Sequence, residues 1–187
     1  MATGSFWLKP KKITLKDGTV VTLRPEEKGD LEPVWRMFST LSDESLQFLP
    51  IRFSRERVEG WFREINYEKT IPILGIIDER EGVRVVAVSS LTFSQMEHNR
   101  HIASFGITVH DDYQGRGLGR RLTEYMIEIA RAKGLKKITL GVVTRNQRAI
   151  NLYRLHGFKI EGCHEMGHWN YILKRYGDDH TMGLILK

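Results

Sequence analysis

The chain has 187 residues, 29 Lys+Arg against 23 Asp+Glu, one Cys and 41% hydrophobic side chains. That length and apolar fraction suit one domain with its own core and exclude a disordered chain. No apolar run approaches the ~20 residues of a membrane span. The start, Met1 to Pro10, lacks a secretory pattern, and a lone Cys163 points to a reducing compartment, so a soluble cytoplasmic protein is expected.

The net charge of +6 is unevenly spread. Residues 1–16 carry +4 with no acid, 17–112 carry −6, 113–160 carry +9 and 161–187 carry −1. Such a chain suits a polyanion on one half and a cationic partner on the other. Residues 1–16 read as a basic N-terminal extension with the first strand, and 17–187 as the main domain.

Lys12–Leu15 and Thr19–Leu23 flank Asp17-Gly18 and read as a hairpin. Asp30 is placed to cap a helix with Leu31, Val34, Trp35 and Phe38 on one stripe. Leu41–Leu49 reads as a short helical turn closed by Pro50. Ser54 is placed to cap a helix carrying Val58, Trp61, Phe62 and Ile65. Ile71–Ile77 and Val83–Phe93 read as strands around an Asp78–Gly82 turn, and His101–Val109 as a further strand. After a glycine-rich loop comes an amphipathic helix with Leu118, Leu122, Met126 and Ile129 at steps of three and four. Lys137–Val143 is a strand, Asn146–His156 a helix closed by Gly157, and Phe158 onward and Thr181–Leu186 the last strands. The class is mixed α/β on one central sheet.

The loop Gln114-Gly115-Arg116-Gly117-Leu118-Gly119-Arg120-Arg121 lies between a strand and a helix start. Small residues there let backbone N–H groups approach an anion, which the helix N-terminus and three arginines also favour. This describes a pyrophosphate cradle. The spacing is not a Walker A loop, because no Gly-Lys-Ser/Thr triad follows Gly115, nor a dinucleotide fingerprint, because the third glycine comes one residue early.

The run Ile107 to Gly119, with Gln114, Gly117 and Gly119 spaced as Gln/Arg-x-x-Gly-x-Gly/Ala, closely resembles the acyl-CoA-binding motif of the GNAT superfamily of N-acetyltransferases. A second block, Asn146-x-x-Ala149-x-x-Leu152-Tyr153-x-x-x-Gly157-Phe158, resembles the same family. Together they cover about residues 83 to 187. Asp17-Gly18 to Leu23-Arg24-Pro25 and Leu41-Ser42-x-Glu44-Ser45 loosely resemble its bacterial and archaeal protein-lysine branch.

The resemblance implies a single-domain GNAT α/β fold, a mixed twisted sheet with helices on both faces, and acetyl-CoA as co-substrate without a metal. It implies backbone bonds to the pantetheine from Ile107, Thr108 and Val109. The pyrophosphate is implied to lie over Gly115, Arg116, Gly117, Leu118, Gly119 and Arg120, and Gln114 of the motif is implied to be a further coenzyme-binding residue. Asn146 maps to a side-chain amide that holds the cofactor, with an N-cap as its plain reading. Tyr153 maps to the acid for the leaving thiolate, with a core aromatic as its plain reading. Relatives in the protein-lysine branch carry a glutamate where Ser104 stands; Glu97, His98, His101 or ordered water are the alternatives for the base.

His164-Glu165-Met166-Gly167-His168 matches a zinc-protease pattern, but that pattern needs a helix, and Gly162 and Gly167 disfavour one. His164, His168, Trp169, Tyr171 and Tyr176 are alternatively acceptor-pocket residues or strand packing. The +9 segment lacks a helix-turn-helix pairing and interleaved aromatics, so nucleic acid is set aside, as is a membrane. The expected reaction is direct acetyl transfer to a primary amine, with a protein lysine or N-terminal amine favoured. A small-molecule amine and a non-catalytic acyl-CoA-binding regulator are the alternatives, and a homodimer is left open.

Overall fold

The turn at Asp17-Gly18 folds the chain back, and Lys11–Thr14 (β1) pairs antiparallel with Val20–Pro25 (β2). Inside the turn the Asp17 carboxylate accepts the Thr19 N–H at 3.1 Å. The computed structural model describes residues 6–49, 51–63, 65–80 and 82–187, so Pro50 lies outside the described residues. Thr70–Glu79 (β3), Gly82–Phe93 (β4), Ile102–Val109 (β5), Lys137–Val143 (β6), Lys159–Asn170 (β7) and Arg175–Ile185 (β8) complete one sheet. Its order is β1-β2-β3-β4-β5-β6-β8-β7, and its neighbours are antiparallel except for β5 and β6. The helices are Leu31–Ser39 (α1), Asp43–Leu46 (α2), Arg55–Arg63 (α3), Leu118–Ala132 (α4) and Gln147–Leu155 (α5). This is the mixed α/β architecture expected from the sequence. No helix among the described residues is long and apolar enough to cross a membrane.

Strand alternation assigns the two cores. Ile71, Ile73, Leu91, Ala103, Phe105, Ile138 and Leu140 face α4 and α5, where Leu118, Leu122, Met126, Ile129, Ile150 and Tyr153 are buried. Each large apolar side chain so buried contributes roughly 1.5–3 kcal/mol. On the other face Leu74, Ile76 and Val85 pack under α1 and α3 through Val34, Met37, Phe38, Val58 and Phe62. That second layer covers β3 and β4. Further along the same face, Ser104, Gly106 and Gly141 are exposed.

Two local expectations are revised. The Asp30 side chain does not cap α1. Its carboxylate instead takes two bonds from the Arg24 guanidinium, both at 2.6 Å, and one from the Glu27 N–H at 2.8 Å. A half-buried bidentate arginine outcompetes a helix N–H for the same oxygens because both partners are charged. The last strand also starts at Arg175, six residues before the expected Thr181. Asn170 makes this extension possible by accepting the Ile172 and Leu173 N–H groups at 3.1 and 2.8 Å, which closes the β7–β8 turn. Both strands are largely exposed there, so no apolar alternation marked them.

Beside the Arg24–Asp30 pair, Glu26 is buried. Burial, reinforced by the Asp30 charge and opposed by Arg24, raises its carboxyl to about 7. The folded chain therefore keeps a proton that the unfolded chain releases near 4.5. This contribution is fully present below the unfolded value and lost as pH rises through the folded one, a loss of about 3 kcal/mol. Urea unfolding between pH 4.5 and 8 is expected to show that decline, and Glu26→Gln to flatten it; parallel curves for the two proteins would contradict it.

Candidate active site

β5 and β6 pair over only three positions, Ile102 with Lys137, Ala103 with Ile138 and Ser104 with Thr139. Beyond Ser104 each keeps its other neighbour: β5 stays on β4 to Val109, and β6 stays on β8 to Val143. A seam therefore opens in the middle of the sheet, lined on one side by backbone from Phe105 to Val109. Ile107, Thr108 and Val109 all lie on that open stretch. Peptide groups along such a seam require partners from outside the sheet.

The seam ends at the glycine-rich loop. A short 3₁₀ turn, Asp111–Tyr113, carries the chain out of β5. Gly117 then caps α4 at φ 93° and ψ −2°, a left-handed conformation that side chains disfavour. The first bond of the helix runs from the Arg121 N–H to the Gly117 carbonyl at 3.1 Å. Among the described residues, no acceptor is paired with any backbone N–H from Gly115 through Arg120. Leu118 is buried and anchors the first turn in the core. A Cβ at Gly119 would meet Leu152 at 3.4 Å, so glycine keeps α4 close to α5. These bare donors at a helix N-terminus fit a diphosphate.

The side chains of the loop serve largely to hold it. The Gln114 amide N–H₂ donates to Ser45 Oγ at 2.9 Å and to the Val109 carbonyl at 3.0 Å, while its oxygen accepts from Arg148 at 2.6 Å. Asp111 accepts the Ser42 N–H at 2.8 Å, the Ser42 hydroxyl at 2.9 Å and the Ser45 hydroxyl at 2.5 Å. Partial burial works against the Asp111 charge, but these bonds outweigh it and hold the carboxyl below its ordinary range. Arg116 reaches away to Asp17 at 2.6 Å, and Arg120 bonds Glu124 at 2.9 Å.

Tyr153 packs on Phe105, the first residue of the open stretch, and on Phe158. It is 7% exposed, burial pushes its hydroxyl up to about 12, and the hydroxyl bonds to none of the described residues. Asn146 caps α5 by accepting the Ala149 N–H at 3.1 Å, which leaves its amide N–H₂ without a partner among the described residues. Both the plain and the functional readings of Asn146 are thus sterically compatible, since they use different atoms.

Ser104 sits at the apex of the seam, level with Thr92 and Thr139. Glu97 and His98 lie in the turn before β5, and His101 is three residues before Ser104, about 10 Å along an extended strand. Farther across the row, Glu161 lies over Gly183 and accepts from Lys137 at 2.7 Å. Sequence reasoning did not single out Glu161, Asp111 or Ser45 as parts of the site; short polar residues with distant partners carry no periodic signal.

The His164–His168 segment lies on β7, not on a helix. Three residues there bulge opposite Asp178, His164 bonds Thr181 at 2.9 Å, and His168 lies 3.0 Å from Asp179. No group of three or more His, Cys, Asp or Glu among the described residues has the geometry to hold a metal. Trp169 and Tyr176 pack edge to face and, with Tyr171, remain exposed. The hairpin tip docks on the chain after α2, where Asn170 Nδ2 donates to the Gln47 carbonyl at 2.7 Å.

Gly117→Ala is expected to lower stability by about 1–2 kcal/mol through left-handed strain alone. It should also weaken acetyl-CoA binding; thermal unfolding and calorimetric titration measure the two, and a variant equal to the parent in both would contradict this account of the loop.

Comparison with known proteins agrees with this geometry. The chain is 31% identical over 101 residues to the L-amino acid N-acyltransferase MnaT of Escherichia coli, covering 54% of this chain and 57% of that protein. It is 28% identical over 141 residues to the thialysine N-epsilon-acetyltransferase of Bos taurus, covering 73% and 83%. The crystal structure of an acetyltransferase of the GNAT family from Streptococcus pneumoniae superposes with a TM-score of 0.73 at 28% identity, over 89% of this chain and 99% of that one. The model of the acetyltransferase (GNAT) family matches residues 35–158. The chain belongs to the GNAT family of acetyltransferases.

Proposed function

We propose that the protein transfers an acetyl group from acetyl-CoA directly to a primary amine. The observation that carries this reading is the seam between β5 and β6 leading straight to six N–H groups, from Gly115 to Arg120, that have no partner among the described residues. The loop from Gly115 to Arg120 holds the diphosphate, and the backbone of Ile107, Thr108 and Val109 bonds the pantetheine arm. Asn146 donates from its free amide. The co-substrate supplies the thioester, whose carbonyl is open to attack by an amine.

The hydroxyl of Tyr153 is proposed to face the departing sulfur. With its own value near 12, full transfer of its proton to a thiolate of pKa ~8.5 would be uphill by about 5 kcal/mol. Tyr153 therefore acts as a hydrogen-bond donor that steadies the negative sulfur while the proton comes from the acylated amine. Deprotonating a lysine-like amine costs about 4–5 kcal/mol at pH 7, more than expelling the thiolate. With serine at the apex, water held by the hydroxyls of Ser104, Thr92 and Thr139 takes that proton.

The acceptor we favour is an amine on a protein, a lysine or an N-terminus. The uncovered sheet face at Ser104, Gly106 and Gly141 gives an extended chain access to the seam, and exposed Trp169, Tyr171 and Tyr176 stand on the neighbouring hairpin. A small-molecule amine is the second reading, supported by relatives named for L-amino acids and thialysine.

Incubation with acetyl-CoA and a cell lysate, followed by mass spectrometry, separates the two: acetyl-shifted proteins support the first and acetyl-shifted small amines the second. Tyr153→Phe keeps the ring packing and is expected to lower kcat by about 10–100-fold while leaving acetyl-CoA affinity unchanged. Unchanged turnover in a thiol-release assay would remove Tyr153 from the chemistry.

A further inference from the structure

The positive charge around the loop is largely neutralised. Arg116 is bound to Asp17 and also lies over the Tyr113 ring. Arg120 and Arg121 share Glu124, at 2.9 and 3.6 Å. Arg148 is tied to the Gln114 amide oxygen. Three arginines of the loop and helix start thus face carboxylates, which is an unfavourable arrangement for attracting phosphate.

One cation at the loop comes from outside it. Lys16 follows β1, and its N–H donates to the Arg116 carbonyl at 3.1 Å, fastening the β1–β2 turn to the loop. Its side chain then runs alongside Gly117. A Cβ on Gly117 would meet Lys16 Cγ at 3.7 Å and Cε at 3.8 Å. The ammonium carries no ion pair or hydrogen bond with any described residue. The neighbouring Asp17 is turned to Thr19 and Arg116, so the turn spends its carboxylate on the arginine and leaves the lysine uncompensated.

We propose that Lys16 is a phosphate-binding residue of the coenzyme site, supplied by the β1–β2 turn to the open face of the loop. This rests on the reading of the loop as a diphosphate cradle. The lysine stem passes a bare glycine and brings a mobile point charge to donors that are otherwise neutral peptide groups. An ammonium suits this place because it adapts to phosphate oxygens without requiring a fixed fork. Lys16, just past the first strand, thereby belongs to the coenzyme site.

Calorimetric titration of the whole protein with acetyl-CoA tests this. Lys16→Gln removes the charge and keeps the backbone bond, so thermal stability should stay unchanged while Kd rises about tenfold at low salt. The difference should shrink as salt rises, because an exposed pair is screened. Lys16→Arg should restore most of the affinity. Titration with dephospho-CoA identifies the oxygen: the loss persists if Lys16 contacts the diphosphate and vanishes if it contacts the 3′-phosphate. Equal Kd values for the parent and Lys16→Gln at low salt would overturn the role of Lys16 while leaving the cradle intact. No binding of acetyl-CoA by the parent would overturn the cradle, and the lysine's role with it.

Discussion

The parallel pairing of β5 and β6 stops after Ser104, and the site follows from that interruption. Each strand is held firmly on its far side, β5 by β4 and β6 by β8, so the two halves of the sheet diverge without either fraying. Unpaired peptide groups in the middle of a sheet are costly unless something else satisfies them. A polar, extended ligand arm with amides of its own meets that requirement, and the pantetheine of acetyl-CoA has this character. The fold stabilises the opening from both sides of the sheet: α4 and α5 pack one face, while α1 and α3 cover only β3 and β4 on the other. That asymmetry leaves Ser104, Gly106 and Gly141 exposed on the second face.

At the mouth of the seam, short polar contacts substitute for hydrophobic packing. Asp111 and Gln114 hold α2 through Ser42 and Ser45, and Asn170 holds the chain after α2 from the β7–β8 tip. The segment between Ser42 and Gln47 is therefore bonded at one end to the glycine-rich loop and at the other to the hairpin. The arginines of the loop act mainly on the protein, with Arg116 locking the β1–β2 turn in place. Charge in the sequence and charge available to a ligand are different quantities here, and only the three-dimensional pairing separates them.

Much of the fold was legible because it rests on periodic burial. The stripe Leu118, Leu122, Met126 and Ile129 is buried in α4, Lys137–Val143 is a strand with the bounds read from sequence, and the loop sits between strand and helix as its glycines required. What escaped depended on distant partners. Asp30 had the right spacing for a helix cap, yet Arg24, six residues earlier, claims its carboxylate. The length of β8 was hidden because its outer half is exposed and polar. Gln114 was legible as part of a motif, but its three-way bracing role needed the positions of α2 and α5. The helix that the zinc-like His164–His168 spacing would need was disfavoured by its glycines, and the segment is a bulged strand.

The central claim is that the backbone at the start of α4 holds the diphosphate of the coenzyme. A crystal structure of the protein with coenzyme A tests it most directly. Phosphate oxygens are expected within hydrogen-bond distance of N–H groups between Gly115 and Arg120, with the pantetheine arm lying in the seam beside Ile107–Val109. Coenzyme bound elsewhere, or a seam closed by continued β5–β6 pairing, would contradict it.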